Sequence, residues 1–252
     1  MKTKESIVTN TKMVQIVRNR PRSDLVLFSG LTQLDKYTQG FRAGELYVIT
    51  GYTKAGKSLF CKTLTRGFYD QGEFPLYFQY EEEVEQFLKS FPNMSRDLIF
   101  YLPDEIKYND IEWLLTMIQQ GIEKFGVKAV IIDHLHFLMD SRKLKTNASL
   151  FIGDFVRDIK KFALDHRIVV FLVCHTRKQD TKGTDDYSVG AVRDSGMIPA
   201  LADSTLFIHR EVEDTGITRV EQSFIKVCNH RRTGAWNVVI PTIKSGDYLK
   251  EV

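Results

Sequence analysis

Residues 45–60 read "ELYVITGYTKAGKSLF", and this stretch decides the fold. An apolar run of strand composition enters a turn with glycines at 51 and 56, and Lys57 and Ser58 then open a stretch of helical periodicity. Residues 51–58 satisfy G-x4-G-K-[ST]. Glycines let a backbone curl until successive N–H groups point inward at phosphate oxygens. The following helix adds the partial positive charge of its N-terminus. A glycine-rich turn that only starts a helix is the plainer alternative, but strand before and helix after are the context the motif needs. We therefore expect Gly51, Thr53, Lys54, Ala55, Gly56, Lys57, Ser58 and Leu59 to cradle the phosphates of ATP. Lys57 would reach the β- and γ-phosphates and the Ser58 hydroxyl would ligate Mg²⁺.

Working outward, apolar runs at 45–50, 75–80, 98–102, 127–133, 168–174 and 203–209 read as strands, with helices near 57–70, 82–90, 109–125 and 150–165. Short apolar runs alternating with helices signal a mostly parallel sheet covered on both faces. The fold class is thus α/β, a P-loop NTPase. The chain's end, "TRVEQSFIKVCNHRRTGAWNVVIPTIKSGDYLKEV", holds strands and turns without helix, so antiparallel strands should extend one edge. Residues 1–24 are polar and basic without strong periodicity and read as an arm or linker, leaving 25–252 as one ATPase domain. The polar stretch 176–194 has the length and composition of a functional loop.

Two carboxylates suit the phosphate site. Asp133 ends "AVIID", and in an open α/β sheet the carboxyl ends of strands face the ligand crevice. It is the candidate second Mg²⁺ anchor, with a helix cap as the alternative. Glu81 closes "PLYFQY" and is placed to orient or deprotonate water, although Glu82 and Glu83 follow at once and acids also favour a helix start. His134, His136 and His175 invite a metal reading, but no fourth ligand stands at convincing spacing.

Composition narrows the rest. With 252 residues, 43% hydrophobic and 27% charged, the chain suits one large globular domain. A net charge of +3 permits a polyanion partner without demanding one. The three cysteines form neither a disulfide framework nor a zinc spacing, which suits a reducing cytosol, that of a host cell if the source is viral. No apolar run reaches membrane-spanning length and "MKTKESIVTNTK" has no signal-peptide core, so no membrane partner is expected.

The order "FSGLTQLDKYTQGFRAGELYVITGYTKAGKS", a Glu after the next strand, "VIIDHLHFL", "FLVCHTRK", "RDSGMIPALADSTLFIHR" and "VCNHRRTG" resembles the RecA-like motor domain of the DnaB-type replicative DNA helicases. That group is related to phage primase–helicases and to the mitochondrial Twinkle helicase, and the resemblance spans residues 25–250. It implies ATP hydrolysis at subunit interfaces of a homo-oligomeric ring, a hexamer, that moves 5′→3′ on single-stranded DNA, with a separate primase or loader as a further partner. It implies that Glu81 is the catalytic glutamate. His175 falls where the family has a γ-phosphate-sensing Gln. Arg193, Asp194 and Gly196 match a loop that tracks DNA, and Lys178 and Lys182 lie in the same channel-facing region. Arg232 matches an arginine finger, with His230 in place of the family's partner lysine, and Arg210 matches a residue that stacks on adenine.

Arg193 and Arg210 have a plainer alternative, an ordinary solvated arginine, and "NHRR" at 229–232 also reads as a basic hairpin on a phosphate backbone rather than a finger. Two other functions stay open. One is a RecA-like ATPase that binds single strands without separating them (a recombinase, mediator or loader), for which "KMVQIV" would serve as a strand-like tether. The other is a regulatory ATPase with no DNA role.

Overall fold

The computed structural model describes residues 7–19, 25–91, 98–135, 148–176, 197–214 and 219–252. Helix α1 (Asn10–Asn19) precedes a short antiparallel pair, β1 (Val26–Leu27) and β2 (Phe41–Arg42), that brackets α2 (Thr32–Thr38). Then follow β3 (Leu46–Thr50), α3 (Lys57–Tyr69), β4 (Leu76–Gln79), α4 (Val84–Lys89), α5 (Ile111–Phe125) and β5 (Ala129–Asp133). The chain continues through α6 (Ala148–His166), β6 (Val169–Val173), α7 (Met197–Leu201), β7 (Ser204–Asp214), β8 (Arg219–His230), β9 (Trp236–Ser245) and β10 (Tyr248–Glu251).

One sheet has the order β10-β9-β8-β7-β3-β6-β5-β4. Strands β7, β3, β6, β5 and β4 run parallel, and β8, β9 and β10 extend the β7 edge as antiparallel neighbours. Every residue of β3, β5 and β6 is buried, which is why these strands read as unbroken apolar runs. Alternate residues face opposite sides. Tyr47 and Ile49 pack with Phe60, Leu64 and Phe68 of α3. Leu46 and Val48 pack with Ile118 of α5 and Phe155 and Ile159 of α6. Both faces are therefore covered, and the carboxyl ends of β3 to β6 share one rim.

The "FSGLTQLD" stretch has a clear physical job. The Asp35 carboxylate accepts hydrogen bonds from the Ser29 N–H and hydroxyl, both 2.8 Å, and from the Gly30 N–H at 3.1 Å. This fixes the turn before α2 against α3. Gly67 of α3 lies under the turn, where an added Cβ would stand 2.3 Å from the Ser29 carbonyl oxygen.

Two expectations are corrected. Residues 98–102 form no strand: Tyr101 makes one isolated parallel bridge to Leu76 on the outer side of β4, accepting from the Tyr77 N–H at 2.8 Å and donating to the Pro75 carbonyl at 2.9 Å. The segment "KMVQIV" is helical rather than a strand-like tether. Its backbone groups pair within α1, whose first turn the Thr9 hydroxyl caps by accepting from Lys12 N–H at 3.2 Å. Met13, Val14 and Ile16 are exposed on it.

Gly67→Ala tests the α3 seat. In an open helix this change favours folding by about 1 kcal/mol. Against the Ser29 carbonyl it should instead cost about 1–3 kcal/mol, read as a lower urea midpoint with unchanged slope.

Candidate functional site

The turn after β3 passes so close to β7 that a Cβ on Gly51 would stand 2.2 Å from the Ile208 carbonyl oxygen. Only glycine fits. Lys54 (φ 65°) and Gly56 (φ 96°) then take left-handed conformations that curl the loop into α3. Lys57 is buried, and its amine donates to the carbonyls of Gly51 at 3.1 Å and Tyr52 at 3.0 Å. Burial lowers its pKa, and the nearby charges of Asp133 and Glu81 oppose that shift.

Across the rim, Ser58 Oγ donates to Asp133 Oδ2 at 3.0 Å. Asp133 is 1% exposed, and its Oδ1 has no hydrogen-bond partner among the described residues. Burial first, and then the charge of Glu81, push its pKa up to about 7, against the lowering effect of Ser58 and Lys57. A buried carboxylate oxygen without a partner, beside a hydroxyl, is an all-oxygen donor set that fits a hard cation such as Mg²⁺.

Glu81 follows β4, next to β5 in the sheet. Its backbone N–H is held by the Gln79 side chain at 3.0 Å, and its carboxylate lies 3.7 Å from His134 Nε2. It acts electrostatically on both Lys57 and Asp133, which distinguishes it from Glu83, the residue that precedes α4. His175 follows β6 with its ring centroid 4.1 Å from that of His134. The loop, Asp133, Glu81 and His175 are thus assembled at one rim.

Beside the loop lies a cavity of about 240 Å³ bounded by Ala55, Leu59, Lys62, Arg210, Lys244 and Asp247. Arg210, the expected adenine-stacking residue, is one of its walls. Lys244 and Asp247 were not foreseen. The turn signal "KSGDY" marks their hairpin, but nothing local brings it beside a loop nearly two hundred residues earlier.

Arg232 lies elsewhere. Pairing of Ser204 with both Tyr47 and His230 puts the β8–β9 turn at the opposite end of β3 from the phosphate loop. Its guanidinium donates to Glu45 Oε1 at 2.6 Å and to the carbonyls of Thr38 at 2.9 Å and Gly40 at 2.8 Å. Burial opposes the charge of both partners, yet the hydrogen bonds win: Glu45 is lowered and Arg232 raised. His230 points inward, 3.0 Å from the Tyr47 hydroxyl, and is 2% exposed. It therefore does not accompany Arg232 on the surface. The expected DNA-contact residues Lys178, Lys182, Arg193, Asp194 and Gly196, together with His136, lie outside the described residues.

A twisted α/β sheet with this loop, a strand-end carboxylate and an antiparallel edge defines a RecA-like P-loop ATPase fold. The profile of the DnaB-like helicase C-terminal domain family matches residues 77–241, and the chain belongs to that family. Similar proteins include the "Probable plasmid replicative DNA helicase" of Chlamydia psittaci, 25% identical over 240 residues and covering 82% of this chain and 52% of that protein. The "Replicative DNA helicase DnaB" of Haemophilus influenzae is 24% identical over 230 residues, covering 76% and 49%. The chain spans about half the length of these relatives. A solved "ATPase Domain of G40P" (a protein's name) superposes with TM-score 0.76 over 96% of both chains at 18% identity. The structure of a DnaB-like replicative helicase "And Its Interactions With Primase" gives TM-score 0.73 over all of this chain and 68% of that one. No helix among the described residues is long and apolar enough to cross a membrane.

The raised Asp133 pKa has a signed consequence. From about pH 4 to pH 7 the native state holds a proton that the unfolded state has lost, so stability falls as pH rises. In metal-free protein this group should remove on the order of 3 kcal/mol between pH 5 and pH 8. Asp133→Asn should flatten that part of the profile, so thermal melts at pH 8 should favour the variant more than melts at pH 5.

Proposed function

We propose that this chain is the ATP-hydrolysing motor domain of a replicative-type DNA helicase, working on single-stranded DNA in a homo-oligomeric ring. The observation that carries the reading is the convergence of Lys57, Ser58, Asp133 and Glu81 on one rim of a DnaB-family fold. The loop N–H groups and the α3 N-terminus bind the triphosphate, and Lys57 exchanges its two carbonyl partners for phosphate oxygens. Mg²⁺, held by Ser58 and Asp133, supplies charge neutralisation on the phosphates. Glu81 orients the attacking water and accepts its proton, and His175 hydrogen-bonds toward the terminal phosphate. The base lies in the cavity at Arg210.

The ring rests on the family's hexamer, the 5′→3′ direction on the resemblance, and DNA contact on Lys178, Lys182, Arg193, Asp194 and Gly196. A separate primase or loader remains part of the proposal, supported by the primase interaction named for one structural neighbour. For the trans-acting cation there are two readings. Arg232 is the motif match, but its ties to Glu45 must exchange before it enters a neighbour's site. Arg231 beside it is exposed and bonds only the Ala200 carbonyl with its side chain among the described interactions.

ATP turnover measured with and without single-stranded DNA, followed by unwinding of a forked duplex, tests the proposal. DNA-stimulated turnover with unwinding is expected; stimulation without unwinding would replace it with a strand-binding ATPase, and no DNA response would end it. Lys57→Ala should abolish turnover, and Glu81→Gln should lower it by about 10²–10⁴-fold with ATP binding kept. Arg231→Ala and Arg232→Ala, compared by turnover and melting temperature, separate the two cations. The trans-acting residue loses turnover without loss of ATP binding, while loss of Glu45's partner lowers the melting temperature.

A further inference from the structure

One side-chain cluster at the rim is more than the hydrolytic reading requires. Glu81, His134 and His175 each offer a ligand atom within 4.8 Å of the others. They come from the ends of three strands, β4, β5 and β6, that are neighbours in the sheet. His134 is 1% exposed, whereas the Glu81 side chain is 39% exposed. A tetrahedral zinc ion with nitrogen and oxygen ligands near 2.0–2.1 Å sets those atoms about 3.4 Å apart. The Glu81 carboxylate, 3.7 Å from His134 Nε2, is within about 0.3 Å of that spacing.

The ligand set also decides which metal. Two imidazoles and one carboxylate form a borderline-soft site with a fourth position left open, which suits Zn²⁺ or Co²⁺. Mg²⁺ prefers oxygen donors and goes to Ser58 and Asp133 instead. The two cations therefore sort to different atoms of the same rim.

We infer that Glu81, His134 and His175 form a transition-metal site, and that a zinc ion held there switches hydrolysis off by occupying the carboxylate that must accept the water's proton. The inhibitory half rests on Glu81 being the base; the binding half does not. Zinc would lower turnover without blocking the phosphate loop, so ATP would stay bound.

The experiment uses the full chain, nucleotide-free and treated with chelator, titrated with Co²⁺ while the visible absorption of a four-coordinate cobalt site is followed. One equivalent should bind with that absorption and be displaced by Zn²⁺. His134→Ala with His175→Ala should remove the band. Because His134 is buried, Glu81→Gln, at an exposed side chain, provides a variant that keeps its fold, and it should weaken binding about tenfold or more. Asp133→Asn should keep the band. No band in the wild-type chain, or a band kept in Glu81→Gln and lost in Asp133→Asn, overturns the proposal. In parallel, Zn²⁺ added over excess Mg²⁺ should lower ATP turnover about a hundredfold and EDTA, followed by fresh Mg²⁺, should restore it. Cobalt binding in a chain that never turns over ATP would leave the metal site standing and remove the hydrolytic reading. Turnover with no cobalt binding would do the reverse.

Discussion

A carboxylate buried at the end of a strand is an expensive object, and the rim of this sheet is organised around one. Asp133 is almost fully enclosed, so its ionised form must be compensated locally. Ser58 gives one hydrogen bond and Lys57 a charge, yet burial and the neighbouring Glu81 keep its pKa near 7. The compensation is incomplete by construction. A divalent cation held there, as proposed, would complete it. The same logic holds for Lys57, a buried amine whose compensation comes from the loop carbonyls of Gly51 and Tyr52.

What holds these groups in register is the sheet. Strands β4, β5, β6 and β3 are parallel neighbours, so their carboxyl ends fall on one line, and each contributes one functional side chain or loop just beyond its last ladder position. The strand register fixes Glu81, Asp133 and His175 with little reliance on flexible segments. On the other side of β3, the long antiparallel extension brings β7, β9 and β10 to the loop and walls the cavity beside it. Gly51 pins the two halves together, because the loop crosses the Ile208 carbonyl at a distance no side chain permits.

The parts of this arrangement that are local in sequence could be read there. The phosphate loop is eight consecutive residues, and Asp133 ends an unbroken apolar run because β5 is buried on both faces. The strands and helices of the parallel half follow from the same patterning. What the sequence hid was adjacency. Strand order is set by which crossovers pack, so the approach of Glu81 to His134 and His175 has no local signature. Three histidines without a fourth ligand look unpromising until β4 is placed beside β5. Lys244 and Asp247 escaped notice for the same reason. The helix at "KMVQIV" was missed differently: its apolar residues suit a strand, but a strand needs a partner and a helix does not.

Arg232 is likewise placed by the topology, far from its own chain's phosphate loop. Its guanidinium is held by one carboxylate and two carbonyls at the end of the sheet away from its own phosphate loop. The reversed direction of β8 sets it at the opposite end of β3 from its own chain's phosphate loop. Glu45 meanwhile holds it charged and partly desolvated, and Tyr47 and His230 close the pocket behind that carboxylate. Under the reading that makes Arg232 the trans-acting cation, transfer to a phosphate would exchange one anion for another rather than strip water from a free guanidinium. In that exchange the nucleotide's charge would compete with the charge-assisted hydrogen bonds that Glu45 now accepts.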